Sequence, residues 1–266
     1  MQIGMTPLEG ELMRALGEYA VPATLGLARL LACFAWLPYL SSGAVPSRMV
    51  RVVTALVVLI GLWPVTETVQ RPPDMPSLGL AALREAMAGT VLGLMLALPY
   101  HVFHAVGSLI DTQRGAGVGA MLDPLTGVEA TEMANLLQMM SVVVFLVAGG
   151  MVPLLEAVQG SYQLVPMGSA LLPDLASIHG FVDIVLSAAI RMAAPVLLLL
   201  FLVEILLGIV SRFAQQLNAF SVSLAVKSAL AFAAMLVYLV ASMTTQVPAL
   251  WRQYPVLRGL AAGAAG

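Results

Sequence analysis

The chain has 266 residues, of which 60% are hydrophobic and only 10% charged. An ordinary globular domain carries about 25% charged residues, so this chain cannot cover its own surface with polar groups and must face lipid or other apolar chains. A net charge of −2 without any basic run leaves no electrostatic case for nucleic acid, and the single cysteine, Cys33, excludes an internal disulfide or a cysteine metal cluster.

About six apolar segments follow one another. They run over Tyr19–Leu40, Val50–Pro64, Leu83–Ile110, Met133–Leu155, Phe181–Val210 and Ala229–Leu250. Proline, glycine and charge mark the breaks, as at Ser41-Ser42-Gly43, Arg71-Pro72-Pro73-Asp74 and Leu172-Pro173-Asp174. Glu9, Glu11 and Glu18 precede the first run, where a cleavable signal needs positive charge, so that run is expected to stay in the mature protein. The pattern predicts one helical membrane domain over 1–260 and a flexible small-residue tail over 261–266.

Several segments are awkward as plain spans, which need about 20 mostly apolar residues. Val50–Pro64 is too short, Arg29 sits within the first segment, and Arg191, Pro195 and Glu204 interrupt the fifth. In a six-span bundle Arg14, Arg71, Arg84, Arg252 and Arg258 would lie on one side. Arg48, Arg51, Arg114, Arg212 and Lys227 would lie on the other, so positive charge chooses no orientation. Kinked or broken helices, arranged as hairpins, are expected instead of an up-and-down bundle.

Along the third segment Glu85, Gly89 and Gly93 share one helix face, and glycine at that spacing lets a second helix approach closely, within this chain or from a partner. His101 and His104 follow behind Pro99 without a convergent carboxylate, a weak metal signal. Next comes a run in which Gly115, Gly117 and Gly119 alternate with other residues, ahead of Asp123-Pro124. The glycines lower helix propensity, Asp-Pro favours a turn, and Thr126 with Glu129 has the spacing of a capping box. This stretch reads as an ordinary helix connection or as a mobile loop that closes a pore. The methionines, Met139-Met140 among them, read mostly as core.

In the fifth segment Glu204, Gly208 and Arg212 share a face. A carboxylate in an apolar run needs a partner, which Arg191, Arg212 or another subunit can supply. The amides of Gln215-Gln216-Leu217-Asn218 are suited to bonding loop backbone or lining a wet cavity. Lys227 reads as an interfacial anchor, with an electrostatic contact as the other reading. No nucleophile elbow and no phosphate-binding Gly-x4-Gly-Lys run is present, so no cofactor is called for.

The pattern Asp111-x-Gln113-Arg114-Gly115, followed by Asp123-Pro124-x-x-Gly127, resembles the FliR/SctT family of type III secretion export gates. Pro38, Pro46, Arg48, Arg51 and Pro64, then Glu85-x3-Gly89-x3-Gly93, Gly149-Gly150, and Ser161-Tyr162 with Pro166 agree in the same order. The closest stretch is Glu204-x3-Gly208-x3-Arg212-Phe213-Ala214-x-Gln216-Leu217-Asn218-x-Phe220, ending at Lys227-Ser228. The family shows proline where Gln215 stands, a departure that touches local turn geometry. The resemblance covers nearly the whole chain.

The resemblance implies an all-α membrane protein within a hetero-oligomeric export gate of the bacterial inner membrane, inside the secretion basal body. It implies SctR-like, SctS-like and SctU-like partners, unfolded secreted proteins as cargo, lipid around the assembly, and no enzymatic step. It further implies a pore plug comprising Arg114, Gly115, Gly117, Gly119, Met121, Asp123 and Pro124. Glu85, Gly89, Gly93, Glu204, Gly208, Arg212, Gln216, Asn218 and Lys227 would serve helix packing or subunit contact. The alternative is a secondary transporter of a small solute, with Arg29, Arg191 and Glu204 along its path.

Overall fold

The computed structural model describes residues 7–40, 47–62, 75–116, 132–169, 176–213 and 219–253. These residues form nine α-helices and no strand. They are α1 (Pro7–Trp36), α2 (Arg48–Gly61), α3 (Met75–Leu96), α4 (Leu98–Arg114), α5 (Glu132–Val147), α6 (Met151–Leu164), α7 (Ala176–Phe213), α8 (Ala219–Ala234) and α9 (Val240–Gln253). A π-helical turn, Met235–Leu239, joins α8 to α9. The chain is all-helical, as its composition predicts. It divides into two compact units: the first holds α1, α2, α3 and α6, the second α4, α5, most of α7, α8 and α9.

In the first unit α1 packs along α3 and against α2. Leu25, Leu30, Cys33 and Phe34 of α1 are buried, with Ala55 and Leu59 of α2 and Ala88, Val91 and Leu92 of α3. Small residues set the spacing. A methyl group on Gly89 would strike the backbone of Arg29, and one on Gly93 the backbone of Cys33. The glycine face of α3 is therefore in backbone contact with α1 of the same chain.

In the second unit α4 packs along α5, and a methyl group on Gly107 would meet the backbone of Ala134. The α9 helix closes on both, with Phe145 stacked on Trp251 at 4.8 Å and edge-on to Tyr100 at 5.6 Å.

The helix boundaries depart from the predicted segments in three places. The third segment is two helices, broken at Ala97, with Pro99 in the first turn of α4, where its missing N–H costs nothing. The fourth breaks after Val147. There Gly149 adopts φ +75°, Gly150 N–H donates to Phe145 O at 2.9 Å and Gly149 N–H to Leu146 O at 3.1 Å, the paired bonds of a glycine-terminated helix. The fifth, expected to be interrupted, continues through Arg191, Pro195 and Glu204 as the 38-residue α7. One missing N–H does not stop an apolar helix, in which water offers the backbone no alternative partner.

Among the described residues, four helical stretches are long and apolar enough to cross a membrane: Tyr19–Trp36, Pro76–Leu96, Val182–Phe213 and Val222–Trp251. The helices Glu132–Val147 and Met151–Leu164 meet the criterion only jointly, as a broken pair. The 14 residues of α2 are too few to span, as expected. By contrast, the 32 apolar residues of α7 reach about 48 Å against a hydrocarbon layer of about 30 Å.

Candidate functional site

Each unit contains one polar cluster set among apolar helices. In the first unit Arg29 of α1 lies 1% exposed and Glu85 of α3 3% exposed. Arg29 Nε donates to Glu85 Oε2 at 2.6 Å. Its two terminal nitrogens donate to Ser161 O at 3.0 Å and Val165 O at 2.8 Å, carbonyls at the end of α6. A cation there also meets the negative end of the helix dipole. The other oxygen of Glu85 accepts the N–H of Gly168 at 2.9 Å, in a turn that Gly168 makes at φ +77°. Tyr162 lies with its ring 4.5 Å from the guanidinium carbon, and its hydroxyl donates to Gly26 O at 3.1 Å. Both charges are thus bonded on every side, which is what burial of an ion pair requires.

The second cluster lies where α4 ends and α5 begins. The α4 helix stops at Gly115, which takes φ +84° while Ala116 N–H donates to Asp111 O at 3.0 Å and Gly115 N–H to Thr112 O at 3.2 Å. The first of the three alternating glycines is therefore a helix stop, a conformation other residues adopt only with strain. The Asp111 side chain, 2% exposed, divides its two oxygens. One takes Arg114 Nε at 2.8 Å. The other accepts the N–H groups of Met133 at 3.0 Å and Ala134 at 3.2 Å. Those N–H groups lie in the first described turn of α5, and a negative charge is favoured at the start of a helix. Asp111 therefore holds the end of α4 to the start of α5, at the point where Gly107 lets the two backbones touch.

Two more helices join at the same place. Lys227 of α8 is buried and pairs with Glu204 of α7 at 3.1 Å. Its ammonium also reaches Gln113 O at 3.5 Å, and Gln113 Nε2 donates to Glu204 Oε2 at 3.4 Å. The Arg114 guanidinium stands 5.7 Å from the centre of the Phe232 ring of α8. The partner of Glu204 is thus Lys227, and not Arg191 or Arg212, both exposed. Lys227 thus makes an electrostatic contact within the unit, with its side chain buried. Gly208 faces open space and nothing lies within reach of a methyl group built there.

Gly117, Gly119, Met121, Asp123, Pro124, Gln216 and Asn218 lie outside the described residues, as do Thr126 and Glu129. Sequence reasoning singled out Arg29, Glu85 and the Ser161-Tyr162 pair separately but did not join them. The usable signal was an unpaired charge in each of two apolar runs; a single sequence does not say which charge meets which. Nor did it assign Asp111 its task, because the amides that Asp111 bonds lie 22 and 23 residues along the chain.

Residues 20–253 match the family model described as bacterial export proteins, family 1. The chain is 40% identical over 218 residues to the surface presentation of antigens protein SpaR of Salmonella typhimurium, covering 81% of this chain and 82% of that one. It is 30% identical over 230 residues to Yop proteins translocation protein T of Yersinia pestis, covering 83% and 87%. To the flagellar biosynthetic protein FliR of Bacillus subtilis it is 30% identical over 179 residues, covering 64% and 69%.

Proposed function

The chain belongs to the family 1 bacterial export proteins, and from that premise we propose that it forms part of the pore of a type III protein export gate and supplies that pore's plug. It is a membrane-embedded component of the type III secretion export apparatus, a hetero-oligomeric machine. The finer assignment is an inner-membrane, injectisome-type gate. It is supported by 40% identity to a surface presentation of antigens protein against 30% to a flagellar relative. SctR-like and SctS-like chains cover part of the apolar surface and lipid the rest, an SctU-like chain joins them, and unfolded secreted polypeptides pass through. The chain's task is structural, with no chemical step of its own.

The observation that carries the plug reading is the double hold of Asp111. The connection between α4 and α5 is glycine-rich and nearly uncharged, and its two ends are fastened to each other by one buried carboxylate. A segment so anchored can occlude a pore and yield to cargo without detaching the helices that bear it. Gln113, Glu204 and Lys227 fasten its first end to α7 and α8. The transporter reading placed Arg29, Arg191 and Glu204 along one path; Arg29, buried and bonded on every side, is not free to line it.

Shortening Gly115–Gly119 in the assembled gate is expected to raise its conductance to small ions. Unchanged conductance in a complex of normal composition counts against the plug. Affinity purification in mild detergent is expected to bring down two small membrane proteins in several copies; recovery of the chain alone, active in solute uptake by vesicles, overturns the gate.

A further inference from the structure

Where α1 ends and α2 begins, a cavity of about 250 Å³ is lined by Leu31, Phe34, Ala35, Leu40 and Val52, and by Arg48 and Arg51. Among the described residues no carboxylate lines it. Arg51 Nε is buried and has no hydrogen-bond partner. The contrast with Arg29 in the same unit is direct, since there every nitrogen finds an acceptor. Arg48 is exposed and Arg51 half-buried, so both side chains are accessible from outside, and the planar guanidinium fork suits the oxygens of a phosphate. The helix adds to the positive potential. Arg48 and Arg51 lie in the first turn of α2, which carries no acidic residue and receives no side-chain cap from Ser47. The positive end of the helix dipole therefore adds to the charge of the two arginines.

The surroundings identify the source of the anion. The outward side of α2 presents Met49, Val53, Val57 and Ile60, all exposed. A helix too short to span, apolar on its outer side and cationic at one end, lies at the level of lipid head groups. The volume, about eight times the roughly 30 Å³ share of one water in the liquid, takes a phosphate and its ester and leaves acyl chains outside. We infer that the corner between α1 and α2 binds the phosphate head group of an anionic phospholipid between Arg48 and Arg51. This site would fix the depth of the first unit in the bilayer.

The test uses the full chain purified in neutral detergent and mixed with dioleoyl phosphatidylglycerol, dioleoyl phosphatidylcholine or inorganic phosphate, with bound ligand read by native mass spectrometry. Phosphatidylglycerol is expected to be retained at roughly tenfold lower concentration than phosphatidylcholine, given two arginines near the head group. The Arg48→Gln/Arg51→Gln variant brings the two lipids level, whereas Arg191→Gln, an exposed arginine on α7, leaves the preference intact. Equal retention of both lipids by the unaltered chain, or a preference that survives in the double variant, overturns the inference. Displacement of phosphatidylglycerol by an equal concentration of inorganic phosphate also overturns it, in favour of a free-ion site. Should the double variant not fold, Arg51→Lys keeps the charge and loses the fork. A reduced preference in that variant supports the site and an unchanged one overturns it. Retention is read on the isolated chain, so its failure and a failure of the export reading are separate results.

Discussion

Glu85 in α3 and Glu204 in α7 are both carboxylates in apolar helices, and each meets a cation on another helix, yet their surroundings differ. Glu85 is 3% exposed, accepts from Arg29 and Gly168, and faces a guanidinium whose remaining nitrogens are also bonded. The Glu204 side chain is 52% exposed; it meets Lys227 at 3.1 Å and Gln113 at 3.4 Å. The first pair has no lower-energy alternative, because any movement leaves a charge in an apolar core without partners. In the second pair only the carboxylate can exchange its bonds with water or with another chain; its partner Lys227 is buried. A saturated pair fixes one arrangement of helices; a carboxylate that is half exposed constrains its surroundings less.

The largest effect is expected from Glu85→Ala, which strands Arg29. Breaking a buried pair costs about 3–5 kcal/mol, so thermal denaturation in detergent should show a severe loss of folded protein. Replacing both partners, Arg29→Leu with Glu85→Leu, should recover part of that loss. If Glu85→Ala proves no more damaging than Glu204→Ala, the contrast between the pairs fails. Gly89→Leu tests the same unit through packing. The side chain must displace the backbone of α1, and a cost of about 1–3 kcal/mol or more is expected in the same assay.

In the second unit Asp111→Ala removes both the partner of Arg114 and the acceptor for two amides of α5. A loss of about 1–3 kcal/mol is expected, with a rise in ion leakage through the assembled gate. Asp111→Asn keeps an oxygen for the amides and should cost less; equal losses would show that the charge matters and the cap does not. The smallest effect on stability, about 1 kcal/mol, is expected for Glu204→Ala: its own side chain is half exposed, but the buried Lys227 is left with only Gln113 O at 3.5 Å beside it. The same change should weaken gate assembly or secretion, measured as complex yield and exported protein. Normal values for both would make this carboxylate dispensable and reduce the second pair to a surface contact.

Composition and apolar runs alone determined the helical, membrane-facing character of the chain, because long continuous apolar runs satisfy their backbone in lipid as helices, whereas barrel strands alternate apolar and polar residues. The shortness of α2 was legible for the same reason. The order of short patterns, from Asp111-x-Gln113-Arg114-Gly115 to Lys227-Ser228, was enough to point to the family. The pairing of charges was not legible. Arg29 and Glu85 are separated by 56 residues and Gln113 and Glu204 by 91. A charge in an apolar run announces that it needs a partner without saying which. Helix breaks were poorly legible: the apolar segments ran through Pro99 and Gly149, where helices start or end, while Pro195, where an interruption was expected, lies inside a continuous helix. Tertiary structure decided which glycines are contact points and which are stops. Gly89 touches a helix, Gly115 ends one and Gly208 faces open space, and only the three-dimensional neighbours of a residue without a side chain can distinguish those roles.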